Sequence, residues 1–311
     1  MKRILCLLLG LCLFCSGCCP EQKPDVRTFF AMDTVMELSL WGDGGKQTGE
    51  RIEKLIRDLE KTWSAEDPDS LLSSLNRGEG EAEGENRELL QKLQEFRIFT
   101  DGAFDSRLLA LSELWNFSSE HPSVPGEKEI QQALSHREWD LGASLKGYAC
   151  SRAADILKES GVQRAVLNLG GNIQTYGSKP DGSPWQIAVT DPRGQEPMGV
   201  LSVSGTVCIA TSGDYQRYFE QDGVRYHHIL DPETGYPARS GMISVTVICE
   251  DGLLADVLST ALFVMGPEKA ERFWQENPGF EAAWVTEDGS VSATEGSGFS
   301  GCTHEVIGRE N

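Results

Sequence analysis

The chain opens on an apolar run from Ile4 to Phe14 and then settles into alternations and helical stripes. From Thr28 to Trp41 apolar and polar positions alternate among β-forming residues, which predicts a strand ending at the glycine-rich turn Gly42 to Gly45. Ile52, Leu55, Ile56 and Leu59 recur at helical spacing and predict a helix over Gly49 to Trp63, with a second over Arg87 to Thr100. Between them, Glu79 to Glu85 is rich in Gly and Glu and reads as a solvated loop. A short helix is expected over Glu127 to Leu134, after a loop marked by Pro122 and Pro125. Trp139 to Leu141 is strand-like and runs into a helix over Leu145 to Leu157, whose Leu145, Ala149, Ala153 and Ile156/Leu157 share one face and which Gly161 closes. Further strands are expected at Ala165 to Leu169, Trp185 to Val189, Gly199 to Val203, Val207 to Ala210 and Ile243 to Cys249. The last of these leads into a helix over Leu253 to Met265, and Ala282 to Phe299 reads as a hairpin. Strand and helix units occur in both halves without a clean repeat or a sharp internal boundary. The expected class is therefore α+β, mixed sheets with packed helices in a single body.

The first residues form a separate object. Lys2 and Arg3 precede an apolar stretch of about 11 residues, too short for a membrane-spanning helix and suited to the core of an export signal. The sequence Cys15-Ser16-Gly17-Cys18 resembles the lipobox of bacterial lipoproteins, in which the cysteine is lipidated and becomes the new N-terminus. Cys18 stands at that position; Cys19 and simple secretion without a lipid are the alternatives. The expected organisation is a signal over residues 1–17, a tether over 18–27 and a catalytic body over 28–308.

Composition sharpens this division. The 311 residues carry 28 Lys and Arg against 48 Asp and Glu, a formal charge of −20, and loss of Lys2 and Arg3 with the signal takes it to −22. Such a balance argues against nucleic-acid binding, which needs a basic footprint. Five of nine cysteines lie in the first nineteen residues. Cys150, Cys208, Cys249 and Cys302 are scattered without zinc-like spacing, and the first three sit in apolar runs, as small buried residues do.

Four segments carry chemistry. In the apolar stretch Leu253 to Met265, Asp256 stands three residues from Ser259 and four from Thr260, placing three side-chain oxygens on one helical face. A carboxylate in so apolar a helix is costly unless paired or bound to a cation, and hard oxygens suit Mg²⁺ or Ca²⁺. The alternative is that the hydroxyls bond back to the preceding turn and Asp256 pairs with a basic neighbour. Asp140-Leu141-Gly142-Ala143 precedes a helix whose first turn holds Lys146, a cation set against the helix dipole, so something negative is expected nearby, unless the lysine is simply solvated. Asn168-Leu169-Gly170-Gly171-Asn172 ends a strand on two glycines that permit close approach of backbone to a ligand, or form only a turn. His227-His228-Ile229-Leu230-Asp231-Pro232 opens a rigid turn, beside which a histidine serves either as a base or as a bonded structural group. There is no GxGxxG, Walker A, GxSxG or HExxH sequence, which removes the commonest nucleotide-binding and hydrolase readings.

Eight segments in order resemble the bacterial flavin-transferase family of FAD:protein FMN transferases, the ApbE family. They are "MDTVMELSLWG", "SLLSSLNRG", "GAFDSRL", "WDLGASLKGYACSRAADIL", "AVLNLGGNI", "ATSGDYQRYF", "YHHILDPETGYPA" and "ADVLSTALFVMG". The resemblance implies an α+β body with an FAD cleft and Mg²⁺ on the pyrophosphate. It implies FMN transfer from FAD to a threonine hydroxyl of a target protein through a phosphoester bond, with release of AMP. By motif, Met32, Trp63, Ala103, Phe104, Asp105, Asp140, Lys146 and Leu230 line the FAD site; the Ala143 carbonyl, Asp256 and Thr260 hold Mg²⁺, with Ser259 standing where some members have an acidic ligand. His228 is the candidate for assisting the hydroxyl. The expected partners are threonine-bearing flavin acceptors of membrane redox complexes. The expected location is the extracytoplasmic face of a bacterial cell membrane, held by lipid on Cys18. Two other functions fit the same residues: hydrolysis of FAD to FMN and AMP, and flavin binding without chemistry.

Overall fold

The computed structural model describes residues 23–179 and 181–309. The expected signal, Cys18, Cys19 and the first part of the tether lie outside the described residues. The body begins earlier than expected: Asp25, Val26 and Arg27, assigned to the tether, already belong to strand β1 (Asp25–Ala31). β1 pairs antiparallel with β2 (Thr34–Gly42), so the alternation from Thr28 to Trp41 is a hairpin and not one strand. Met32 and Asp33 fold it back with φ of 49° and 58°. Two left-handed residues give a turn whose twist matches the strands, but neither is Gly or Asn, so no turn signature interrupts the alternation.

Helix α1 (Gly45–Trp63) turns Ile52, Ile56, Leu59 and Trp63 to the core. After α2 (Leu71–Asn76), α3 (Gly84–Phe99), α4 (Leu109–Trp115) and α5 (Glu127–Ser135) comes a segment expected as a strand. Trp139 to Leu141 joins no sheet. Its backbone is satisfied elsewhere: Trp139 N–H donates to Asn76 Oδ1 at 2.8 Å, Asn76 Nδ2 returns a bond to the Trp139 carbonyl at 3.0 Å, and Asp140 N–H donates to the Ser106 carbonyl. Helix α6 (Leu145–Lys158) follows, then β3 (Val162–Leu169), β4 (Asn172–Tyr176), β5 (Trp185–Thr190), β6 (Pro197–Val203) and β7 (Cys208–Gly213). A small hairpin of β8 (Tyr218–Gln221) and β9 (Val224–His227) precedes β10 (Met242–Cys249), α7 (Gly252–Met265) and α8 (Pro267–Glu276). β11 (Phe280–Thr286) and β12 (Val291–Thr294) form the expected terminal hairpin. β13 (Phe299–Gly301) leaves it for another sheet, and β14 (Glu305–Ile307) returns to pair with β12.

Among the described residues, nine strands in the order β1-β2-β3-β4-β7-β10-β11-β12-β14 make the main sheet, antiparallel except for β12 and β14. Alternation sorts its side chains into two layers. Leu38, Leu40, Leu167, Val245 and Val247 face the helices, while Trp41, Val166, Ile209 and Ile248 face the small sheet β13-β6-β5. A separate aromatic cluster forms a lobe beside this sandwich. Trp115 stacks on Phe117 at 5.7 Å and on Tyr226 at 5.7 Å, meets Tyr236 edge-on, and donates its indole N–H to the Gly235 carbonyl at 2.8 Å.

The crossing of α6 and α7 positions the chemistry. α7 is apolar on nearly every side and is buried. Gly147 and Gly252 let the two helices touch backbone to backbone: a Cβ on Gly147 would collide with the Gly252 carbonyl and the Asp256 Cβ, and one on Gly252 would stand 2.6 Å from the Gly147 carbonyl. Asp251 caps α7 through the Leu253 N–H and accepts from Ser151 of α6, tying the helices at their ends.

Candidate active site

A cleft of about 640 Å³ opens where the ends of the main sheet meet the aromatic lobe. Met32 and Thr34 of the β1–β2 turn, Gly170 and Asn172 at the β3–β4 turn, and Thr211 and Ser212 of β7 form one side, with Asp256 and Thr260 of α7 and Gly142, Ala143 and Lys146 at the start of α6. Ala103, Phe104, Asp105, Leu108, Phe117, Leu230 and Pro232 form the other. Of the residues expected at the site, Met32, Ala103, Phe104, Asp105, Asp140, Ala143, Lys146, His228, Leu230, Asp256 and Thr260 all border this one space.

Two expected residues do not. Trp63 lies on the core stripe of α1, 3% exposed, and is absent from the cleft wall. Its spacing from Ile52, Ile56 and Leu59 sends it inward with them, where its indole N–H finds no partner among the described residues. Ser259 is also fully buried. Its hydroxyl donates back to the Asp256 carbonyl at 2.8 Å and meets Ser212 Oγ at 2.9 Å, which turns it beneath β7 and away from the cleft. The back-bonding alternative therefore holds for Ser259, and the shared face is reduced to Asp256 and Thr260, whose hydroxyl reaches Ser212 Oγ at 3.2 Å.

Asp256 makes no ion pair within 4 Å among the described residues; its Oδ2 instead accepts the Gly147 N–H at 2.8 Å. In a regular helix that N–H would bond the carbonyl four residues back, which is Ala143. The neighbouring amides of Leu145 and Tyr148 do bond Leu141 and Ser144. The carboxylate thus diverts one amide and leaves the Ala143 carbonyl, in a residue exposed at the cleft, with no backbone donor among the described residues. Burial pushes the Asp256 carboxyl above its ordinary value, against the pull of Lys146, Asn172 and the Gly147 N–H. A buried carboxylate, a hydroxyl and an unclaimed carbonyl form an all-oxygen set of the kind hard divalent cations take.

The other residues set shape and charge. Asp140 accepts from Ser112 Oγ at 2.7 Å and from the Gly142 N–H at 2.9 Å, which holds the turn before α6. Asp105 is gripped by Arg107 at 3.0 Å, Arg97 at 2.9 Å and Arg137 at 3.5 Å, so its carboxylate is a structural hub at the cleft wall. Met32 N–H donates to Glu60 Oε1 at 2.5 Å, anchoring the hairpin turn on α1. Lys146 and Arg217 border the cleft without an ion pair within 4 Å among the described residues, a positive lining in an acidic chain.

The two histidines separate cleanly. His227 uses both ring nitrogens: Nε2 donates to the Ala238 carbonyl at 3.0 Å and Nδ1 accepts from the Ile229 N–H at 3.3 Å. That pattern makes it structural and fixes its tautomer. His228 faces the cleft with Nδ1 buried and unpartnered. Burial, reinforced by the Arg217 charge, lowers its pKa to about 4, so the ring is neutral at pH 7 with a free lone pair.

Sequence reasoning passed over Thr34, Thr211, Ser212, Arg217 and Phe117, all on the wall. Thr211, Ser212 and Arg217 stand in the "ATSGDYQRYF" segment, whose polar residues crowd the end of an apolar strand.

An ApbE family model matches residues 32–284. The chain belongs to the ApbE family. The "FAD:protein FMN transferase" of Treponema pallidum is 32% identical over 286 residues, covering 79% of each chain. That of Escherichia coli K12 is 30% identical, covering 92% of this chain and 93% of its own. The ApbE crystal structure from Thermotoga maritima superposes with a TM-score of 0.80 at 34% identity, covering 88% of this chain and 97% of its own. The Pseudomonas stutzeri flavinyl transferase ApbE, in its apo form, gives 0.74 at 30% identity, covering 91% and 95%. The α+β class expected from the sequence is the class of these ApbE structures.

Proposed function

We propose that this chain is a Mg²⁺-dependent flavin transferase that moves FMN from FAD onto a threonine hydroxyl of a target protein and releases AMP. The observation that carries the reading is the diverted Gly147 amide, which sets Asp256 and the free Ala143 carbonyl side by side at the cleft. With Thr260 they fit a hard divalent cation, and Asp256, Thr260 and the Ala143 carbonyl would hold it. When bound, the cation neutralises the pyrophosphate and orients it for in-line displacement. Lys146 adds a second positive charge at the same anion, beside the N-terminus of α6.

Transfer forms one bond from threonine Oγ to the phosphorus of the FMN half and breaks the bond from that phosphorus to the bridging oxygen, which leaves on AMP. His228, on the cleft wall, takes the hydroxyl proton on its neutral imidazole. Its low pKa rises once phosphates stand nearby, because a neighbouring anion favours the imidazolium. His227, bonded on both sides, holds the strand end from which His228 projects. Met32, Ala103, Phe104 and Leu230 present backbone and apolar surface to the cofactor, while Asp140 and Asp105 hold the turns that shape the cleft. Threonine acceptors in membrane redox complexes, and anchorage through a lipid on Cys18 at the outer face of a cell membrane, complete the proposal.

The test is incubation of the protein without residues 1–17 with FAD, Mg²⁺ and a threonine-bearing acceptor domain. Transfer gives covalent flavin fluorescence on the acceptor, a mass increase of one FMN, and AMP. Free FMN and AMP with an unlabelled acceptor would assign hydrolysis instead, and intact FAD would leave only binding.

A further inference from the structure

A transferase that modifies a protein needs a surface that receives that protein beside the cleft. The β1–β2 hairpin offers one. Its turn, Met32 to Thr34, borders the cleft, and the residues immediately outside it, Phe30 and Val35, are direct cross-strand partners, each 61% exposed. Val26, two pairs further along the same face, is 59% exposed. Isolated exposed apolar residues are ordinary; a paired row continuous with a ligand cleft is not.

In the middle of this sheet face the small sheet β13-β6-β5 packs on Trp41, Val166, Ile209 and Ile248. The hairpin's own residues on that face, Val26, Thr28, Phe30, Val35 and Glu37, are exposed from its far end to the turn beside the cleft. The arm is also held rigidly. Glu60 anchors the left-handed Met32 amide at 2.5 Å, Arg57 donates to the Phe30 carbonyl at 3.3 Å and lies over the Phe29 ring, and Arg27 pairs with Glu53. Glu37 lies on the bare face opposite Thr28, and Asp33 is exposed at the turn. These carboxylates suit a protein carrying Lys or Arg and oppose an anionic lipid surface.

We propose that the outward face of the β1–β2 hairpin, Val26, Phe30 and Val35 rimmed by Asp33 and Glu37, docks the flavin acceptor. The occupant is a folded protein whose threonine-bearing segment is apolar and flanked by basic residues. The inference rests on the transferase reading. One side of the turn touches the cofactor and the other steers the incoming hydroxyl to it.

The experiment compares Phe30→Ser/Val35→Ser with the wild type on an acceptor domain that the wild type labels with one FMN. The expected result is a fall of about tenfold in kcat/KM for the acceptor, carried by KM, with FAD affinity and slow release of FMN to water unchanged. Those two readouts also report that the variant is folded. A photo-crosslinker placed at Val35 should join the same purified acceptor. Acceptor kinetics within roughly twofold of the wild type, at the scale where a contact counts as neutral, would overturn the proposal. So would a loss confined to binding of phosphatidylethanolamine/phosphatidylglycerol vesicles, which would assign the face to a membrane. If the wild type labels no acceptor, the transferase reading itself has failed, and that is visible before any variant is compared.

Discussion

The two walls of the cleft are built on opposite principles. The α6–α7 wall is polar chemistry set into an apolar scaffold: Asp256 and Thr260 project from a helix whose other faces are packed, and Gly147 and Gly252 bring its neighbour within backbone contact. The lobe wall is the reverse. Trp115, Phe117, Phe219, Tyr226 and Tyr236 stack into a compact aromatic body that presents Leu108, Phe117, Leu230 and Pro232, interleaved with Ser112, Asn116 and Ser118, to the same space. One wall spends stability on placing charge, and the other supplies shape. Variants in the first should therefore damage activity far more than folding, and variants in the second should do the opposite.

The largest effect tests the first half of that contrast. Asp256→Asn keeps an acceptor for the Gly147 N–H and removes the buried charge. Transfer should fall about a thousandfold, ~4 kcal/mol of barrier, while thermal stability holds or rises because an unpaired buried carboxylate has gone. Kinetics and calorimetry on the same preparation check both. Trp115→Ala tests the second half: deletion of a fully buried indole should cost about 3 kcal/mol or more in denaturant unfolding and raise the KM for FAD, with a smaller change in kcat. His228→Ala should lower kcat about a hundredfold at unchanged stability, whereas His227→Ala should chiefly destabilise. The wild-type His228 pKa of about 4 lies below the ~6.5 of an unfolded histidine. Between these values the unfolded chain binds more protons, so stability falls as pH drops from 6.5 toward 4 and is complete above 6.5. Replacing His228 by Gln should flatten that slope in denaturant titrations at pH 7 and pH 5. The smallest effect belongs to Ser259→Ala, which loses its bonds to the Asp256 carbonyl and to Ser212 Oγ but no cleft contact of its own. It should cost about 1–2 kcal/mol and leave transfer intact.

The polar wall was largely legible in the sequence because its signals are local. An aspartate and a threonine in an otherwise apolar helix, and a lysine on a helical first turn, stand out within a dozen residues. What was not legible is tertiary. That Ala143 has an open carbonyl follows from Asp256, more than a hundred residues away, capturing the Gly147 amide. Ser259 and Trp63 looked equally placed by spacing or motif, and packing against β7 and the core decided against both. The lobe escaped notice because its aromatics come from separate segments and converge only on folding. The hairpin turn was hidden for a different reason: Asp33 tolerates left-handed backbone, but Met32 before it takes the same conformation without a side chain that advertises it, its amide anchored by Glu60.

The central claim is that Asp256, Thr260 and the Ala143 carbonyl surround one divalent cation on the pyrophosphate of FAD. It is tested most directly by anomalous diffraction from crystals grown with FAD and Mn²⁺. The account predicts a single strong peak in contact with these three oxygens and a phosphate oxygen, absent in Asp256→Asn. A peak elsewhere in the cleft, or FAD bound with its pyrophosphate away from Asp256, would contradict it.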